Sequence, residues 1–186
     1  MKFDKPLLVF DVETFYDTFT FVGKFYQQPD IYTFEISPRK NEKQQLLEFL
    51  NYLKQIDAHM VGYNNLNFDW PIVQELMVNP HGFDNYKSFK MAQQIIEAQK
   101  FNGGARPAGI QLHDRLIHQI DLMKIWHYDN EAKRCRLKDL QFAMRSPTVE
   151  DLPYDFRKPI SSAFLYSGLL LIRSTSREFV SSAALL

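Results

Sequence analysis

GYNNLNFDW, residues 62–70, follows an apolar run and ends with a carboxylate at the expected start of a helix. The run 58–63 is apolar enough to predict a buried strand. Residues 64–67 include asparagines, which are typical of turns. Pro71 is tolerated in the first turn of a helix, so a helix is predicted to begin close to Asp69. The stretch therefore predicts a strand, a loop and a helix, with Asp69 where the loop meets the helix.

A second acidic motif, FDVET, occupies residues 10–14 at the end of the apolar run 7–10. Asp11 and Glu13 are two positions apart, so on a strand both side chains point to one face of the sheet. Such a pair can hold a divalent cation, and Asp69 would supply a third carboxylate from a separate element. Oxygen ligands that converge in this way suit Mg²⁺ or Mn²⁺ rather than zinc.

Apolar periodicity predicts strands that alternate with helices along the chain. The predicted strands are residues 6–12, 19–26, 31–36, 58–63 and 116–123. The predicted helices are residues 41–56, the segment that begins near Asp69, residues 86–100 and residues 138–144, with a break at 102–104. This alternation predicts an α/β fold built around one sheet.

Composition limits the class of protein. The chain has 186 residues, 45% of them hydrophobic, which suits one domain with a substantial core. Equal numbers of acidic and basic residues, 22 of each, give no overall attraction to nucleic acid, so any affinity must come from local groups. The single cysteine, Cys135, excludes an internal disulfide, and the N-terminus lacks the apolar run of a signal peptide. A cytoplasmic location is expected.

The last residues differ in composition from the rest. Residues 161–186 contain no Asp, Asn, Lys or Gln, yet they hold seven of the chain's ten serines. This segment is either a genuine Ser-rich apolar tail or the product of an altered reading frame or misjoined gene end, and we favour the second interpretation. Its apolar part, residues 163–172, has about half the length needed to cross a bilayer, so no membrane anchor is expected. The expected division is a domain at 1–160 and an atypical tail at 161–186.

At its two motifs the chain resembles the 3′–5′ exonuclease domain of the ribonuclease-H-like (DEDD) superfamily, and most closely the proofreading domain of family B DNA polymerases. The matching letters are FDVET and GYNNLNFDWPIV, in the family's order and spacing. The stretches QIDLMK at 119–124 and LKDL at 137–140 are similar to the strand and helix that precede the family's third motif. The resemblance covers roughly residues 5–160 and implies a ribonuclease-H-like mixed sheet flanked by helices.

The resemblance implies two-metal hydrolysis at the 3′ end of a DNA strand. Asp11 would bind both Mg²⁺ or Mn²⁺ ions, Glu13 one and Asp69 the other. An unpaired, single-stranded DNA end is the implied substrate, with RNA left open.

Four further residues match positions near the terminal nucleotide in this family: Thr14, Asn64, Asn67 and Phe68. For Thr14 and Phe68 the alternative is ordinary packing. For Asn64 and Asn67 the alternative is a turn, with one of the two expected to contact substrate or a neighbouring site residue.

The family's third motif is missing. In this family a helix carrying Tyr-x-x-x-Asp or His-x-x-x-x-Asp supplies a fourth carboxylate and a residue that positions water, but no aspartate follows Asp155. Tyr26 and Asp30 have the first spacing, yet they precede the second motif and flank Pro29, so we reject them. The chain is therefore expected to be a poor exonuclease.

Three functions remain open from the sequence. The first is a 3′–5′ exonuclease, either stand-alone or the front piece of a DNA polymerase. The second is a non-catalytic nucleic-acid-binding remnant of that fold, and the third is a structure-specific endonuclease. Asp121, on the last predicted strand, is interpreted as a structural hydrogen-bonding residue rather than a metal ligand.

Overall fold

The computed structural model describes residues 4–101, 112–126 and 157–159. The strands are β1 (Leu7–Thr14), β2 (Phe19–Phe25), β3 (Ile31–Ile36), β4 (His59–Gly62) and β5 (His118–Asp121). The α-helices are α1 (Lys43–Gln55), α2 (Asp69–Val78), α3 (Asn85–Phe101) and α4 (Leu122–Trp126), and short 3₁₀ helices cover Asn65–Asn67 and Leu112–Asp114.

The five strands form one mixed sheet in the order β3-β2-β1-β4-β5. The first three strands form an antiparallel meander, in which Asp11 faces Val22 across β1 and β2. β4 pairs in parallel with β1, and β5 pairs in parallel with β4. The predicted α/β mixed sheet is therefore confirmed.

Alternation along β1 divides its side chains between the two faces of the sheet. Leu8, Phe10 and Val12 are buried in the main core. α1 contributes buried leucines at helical spacing to the same core, and α2 contributes the fully buried Trp70. α1 and α2 therefore pack on the face of the sheet to which Leu8, Phe10 and Val12 point.

The opposite face of β1 begins apolar and ends acidic. Val9 packs with Val61 in a second, smaller cluster on this face. Asp11 and Glu13 follow Val9 at the same two-residue spacing and are both partly accessible. The sheet therefore presents both carboxylates on the face away from the main core, as the alternation of residues predicts.

Two elements differ from the sequence prediction. Residues 64–67, predicted as a plain loop, contain a 3₁₀ turn, and the predicted strand 116–123 ends at Asp121, where α4 begins. The predicted break at 102–104, the predicted helix at 138–144 and the tail at 161–186 lie outside the described residues. Within residues 4–101, 112–126 and 157–159, no helix is long and apolar enough to cross a membrane.

Candidate active site

The candidate site forms where β1 continues past the end of its parallel neighbour. β4 ends at Gly62, whereas β1 extends to Thr14, and their paired register ends at Val9 and Val61. Backbone N–H groups along the extended part of β1 therefore need acceptors other than β4. The loop and helix that follow β4 lie in a position to supply them.

Asp69 supplies one of these acceptors. The Val12 N–H, between Asp11 and Glu13 in the chain, donates a hydrogen bond to Asp69 Oδ1 over 3.4 Å. Asp69 is the first residue of α2 and is only 6% exposed. A carboxylate in the first turn of a helix is also stabilised by the helix dipole. The second motif is thus joined directly to the first.

The three carboxylates influence one another electrostatically. Burial raises the pKa of Glu13 well above its ordinary value, and the neighbouring charges of Asp11 and Asp69 raise it further. Burial also raises the pKa of Asp69, with Asp11 the next contributor, while the hydrogen bond from Val12 opposes the shift. A positive charge placed among them would offset this repulsion.

The donor set fits a hard divalent cation in its chemistry. Its members are carboxylates, the oxygen ligands that Mg²⁺ and Mn²⁺ prefer. Within the described residues, however, no three His, Cys, Asp or Glu side chains already have the spacing that encloses a metal ion. The three carboxylates repel one another and so stay apart without a cation. We expect the side chains of Asp11, Glu13 and Asp69 to rotate toward one another when a cation binds.

Asp121 holds the loop that precedes Asp69. It is the last residue of β5, pairs with Gly62 and is only 4% exposed. Its Oδ1 accepts the N–H of Asn64 at 2.8 Å and that of Met123 at 3.0 Å, and its Oδ2 accepts the N–H of Leu66 at 3.4 Å. The hydrogen bonds predicted for Asp121 are therefore present, while its exclusion as a metal ligand stays a prediction.

The asparagines of the second motif support the same loop. Asn64 has φ of +60°, a left-handed conformation that asparagine adopts more readily than most residues. The Nδ2 of buried Asn67 donates to Asn64 Oδ1 at 2.8 Å. Through this hydrogen bond both asparagines stabilise the turn, while their contact with substrate stays a prediction.

The other two predicted contacts, Thr14 and Phe68, are neighbours of the carboxylates in the chain. Thr14 is the last residue of β1, opposite Phe19 on β2, and is partly exposed. Phe68 precedes Asp69, packs against the main core and keeps part of its surface accessible. Both are therefore available to a bound strand, and this role also stays a prediction.

The fold brings together some residues that the motifs did not identify. Asn65 Nδ2 donates to Gln119 Oε1 at 2.9 Å and so joins the loop to β5. An aromatic group forms around Tyr16, just after β1. The partners are separated by many positions in the chain, so no local pattern could have indicated them. The rejected pair Tyr26 and Asp30 lies between β2 and β3, outside any helix.

The mixed sheet, its strand order and its helices define an α/β fold of the ribonuclease-H-like exonuclease type. The chain matches the DNA polymerase family B exonuclease domain over residues 7–140. It belongs to this family. The predicted resemblance is thereby confirmed.

Solved structures extend the comparison at low identity. The family B DNA polymerase from the hyperthermophilic archaeon Pyrobaculum calidifontis has 17% identity and a TM-score of 0.50, covering 96% of this chain and 24% of that chain. This chain thus spans about a quarter of the polymerase it matches. The zinc-bound E. coli ExoI–ssDNA complex has 13% identity and a TM-score of 0.42, covering 96% of this chain and 42% of that chain. No curated protein matches the chain.

Proposed function

We propose that this chain is a metal-dependent 3′–5′ exonuclease domain that acts on DNA 3′ ends, either alone or as the front piece of a DNA polymerase. One observation supports the proposal above others. Asp69 accepts a hydrogen bond from the backbone between Asp11 and Glu13, which supports a shared site for the acidic residues of the two family motifs. Membership of the family B exonuclease domain supports the same activity.

Asp11, Glu13 and Asp69 would hold two Mg²⁺ or Mn²⁺ ions. When bound, such ions activate water and neutralise charge on the phosphate and the leaving oxygen. The chain's own contribution is placement. β1 fixes the spacing of Asp11 and Glu13, while the start of α2 holds Asp69 against β1.

The substrate would be the unpaired 3′ end of a DNA strand. Phe68 would stack on the terminal base, and the backbone of Thr14 would contact the terminal nucleotide. Asn64 and Asn67 would maintain the loop, with one of them in contact with the strand. Stacking tolerates any base, which suits an enzyme that removes nucleotides in succession.

We propose further that the activity of the chain is low. No aspartate follows Asp155, so the tail offers no match to the family's fourth carboxylate or to its Tyr-x-x-x-Asp pattern. Loss of a positioned general base typically lowers a rate by about 10²–10⁴-fold. The two alternatives, a non-catalytic binding remnant and a structure-specific endonuclease, make different predictions in one assay.

The assay uses single-stranded DNA labelled at its 5′ end, with Mg²⁺ or with a chelator. We expect slow shortening from the 3′ end that requires the metal and is abolished in Asp11→Asn, but not in Asp114→Asn, where the carboxylate is exposed. A chimera with a family-like Tyr-x-x-x-Asp helix in place of residues 161–186 should cleave faster.

Each alternative has a distinct result. No shortening by either the chain or the chimera would contradict the exonuclease and favour the remnant. Cutting of closed circular DNA would favour the endonuclease. Faster shortening of RNA than of DNA of the same sequence would contradict the proposed substrate.

A further inference from the structure

An exposed group of aromatic rings lies directly after the candidate active site. Tyr16 is in the turn between β1 and β2, where the Phe15 N–H donates to the Thr18 carbonyl at 2.7 Å. Its ring meets those of Tyr86 and Phe89, both from α3, edge to face at centroid distances of 5.7 Å. The turn and the helix, far apart in sequence, thus build one aromatic surface.

Among the described residues, most large aromatic side chains are buried or partly buried, and Tyr16 and Tyr86 are exceptions. Phe15, the neighbour of Tyr16, is buried, as are most of the large aromatic side chains in the core. Tyr16 and Tyr86, by contrast, are 42% and 44% exposed. Single exposed aromatics are ordinary, whereas a contiguous exposed group indicates a binding surface. Core packing does not account for the exposure of these two rings, whereas Phe89 is partly buried.

A cation completes the group. Lys90 Nζ lies 4.7 Å from the centroid of the Tyr86 ring, within the range of a cation–π interaction. Lys90 is itself exposed, so its ammonium is available to an anion. Aromatic faces beside a positive charge are the combination that binds single-stranded nucleic acid, since rings stack on bases and cations contact phosphates.

Position relates this surface to the carboxylates. Tyr16 follows Glu13 by three residues, so their Cα atoms are separated by at most about 11 Å. That distance corresponds to about three stacked nucleotides at about 3.4 Å each. A strand whose 3′ end reaches the carboxylates can therefore also reach the rings.

We propose that Tyr16, Tyr86, Phe89 and Lys90 form a stacking platform that binds unpaired bases of the DNA strand a few nucleotides before its 3′ end. The proposal rests on the proposed function for the identity of the strand. Tyr16 stacks on a base, Tyr86 and Phe89 hold its ring through edge-to-face contacts, and Lys90, over the Tyr86 ring, contacts a phosphate. The platform retains the strand without regard to sequence while its end is at the carboxylates.

The test measures binding in chelator, where no metal-dependent cleavage occurs, by fluorescence anisotropy of a 5′-labelled oligonucleotide. Tyr16→Ala should raise Kd about 5- to 150-fold, as expected for loss of stacking on one base. Tyr16→Phe keeps the ring and should bind within about twofold of the wild type. Tyr52→Ala, which removes a comparably exposed ring on α1, is the matched control and should also leave Kd within about twofold.

Two further measurements separate stacking from charge. Oligonucleotides with abasic residues at successive positions before the 3′ end should bind the wild type more weakly at one or two positions, but should not weaken Tyr16→Ala further there. Lys90→Gln should lower the slope of log K against log salt by about 0.7, the value for one phosphate contact on a single strand. Tyr16→Ala should leave that slope unchanged.

The platform is overturned if the wild type shows no measurable binding, if Tyr16→Ala binds as the wild type does, or if Tyr52→Ala loses as much affinity as Tyr16→Ala. The cleavage assay reports separately on the proposed function. Tyr16-dependent binding without cleavage by the chain or the chimera supports the platform and contradicts the exonuclease. Metal-dependent cleavage with Tyr16-independent binding does the reverse.

Discussion

Replacement of Asp121 by alanine tests whether this carboxylate holds the loop of the second motif. The substitution removes the acceptor for three backbone amides, those of Asn64, Leu66 and Met123. Two of these bonds are short, at 2.8 and 3.0 Å, and the third is weak at 3.4 Å. Leaving a buried donor unsatisfied costs about 1–3 kcal/mol, so the two short bonds predict a loss of about 2–6 kcal/mol.

The loss should be visible by thermal and urea unfolding. For a chain of this length, about 1 kcal/mol corresponds to about 2–4 °C in Tm, so Asp121→Ala should melt about 4–24 °C lower. Asp121→Asn keeps one carbonyl oxygen as an acceptor, so its Tm should lie between those of the wild type and Asp121→Ala. Asp114→Ala, at an exposed carboxylate, should change stability by less than about 0.5 kcal/mol. An Asp121→Ala protein as stable as Asp114→Ala would refute the reasoning.

Three other changes test the structure around the site. Gly62→Ala would place a Cβ 2.7 Å from the Cβ of buried Asn65 and should cost about 1–3 kcal/mol in urea unfolding. Gly82→Ala is its control, because the close contacts there are with the end of the exposed Asn79 side chain, and an equal loss in both variants would exclude the steric argument. Burial, followed by the charge of His118, lowers the pKa of His59, so the unfolded chain takes up that proton first as pH falls. Stability should therefore decrease on acidification through about pH 6.5, and less steeply in His59→Gln; equal slopes would contradict this. Finally, Phe68→Ala should weaken DNA binding in chelator about 5- to 150-fold if its ring stacks on the terminal base, and unchanged affinity would leave Phe68 a packing residue only.

Much of the fold could be predicted because each element carries a local signal. In β1, apolar residues alternate with carboxylates, so the face of Asp11 and Glu13 follows from the period of a strand. Pro71 and the polar loop before it placed the start of α2 correctly, and with it Asp69. These predictions depend only on residues close together in sequence.

The two wrong element predictions both involve Asp121, one through a local bond and one through a distant bond. Strand β5 was predicted to continue to Met123, but the Asp121 carboxylate accepts the Met123 N–H and a helix begins there instead. The same carboxylate bonds the Asn64 amide and so helps to shape the turn that was predicted as a plain loop. The bond to Met123 is a local signal for the start of a helix that the prediction missed, whereas the bond to Asn64 joins distant residues and has no local signature.

The candidate site was predicted only in part, because some of its contacts join residues that are distant in sequence. Two motifs identified the three carboxylates, and the family's order and spacing indicated that they belong together. The bond from Val12 to Asp69 depends on β4 ending before β1 does, which sequence periodicity does not specify. The grouping of Tyr16 with Tyr86 arises only when α3 packs beside β1, so it required the tertiary structure.

Titration of Mn²⁺ into the chain, followed by calorimetry, tests the central claim most directly. We propose that Asp11, Glu13 and Asp69 form one divalent metal site, in which case the wild type and Asp114→Asn should show the same saturable binding. Asp11→Asn should bind Mn²⁺ at least about tenfold more weakly. Loss of a group that only hydrogen-bonds to a metal ligand typically costs about 10- to 100-fold in affinity, and this substitution changes the ligand itself. Unchanged Mn²⁺ affinity in a folded Asp11→Asn protein would contradict the claim.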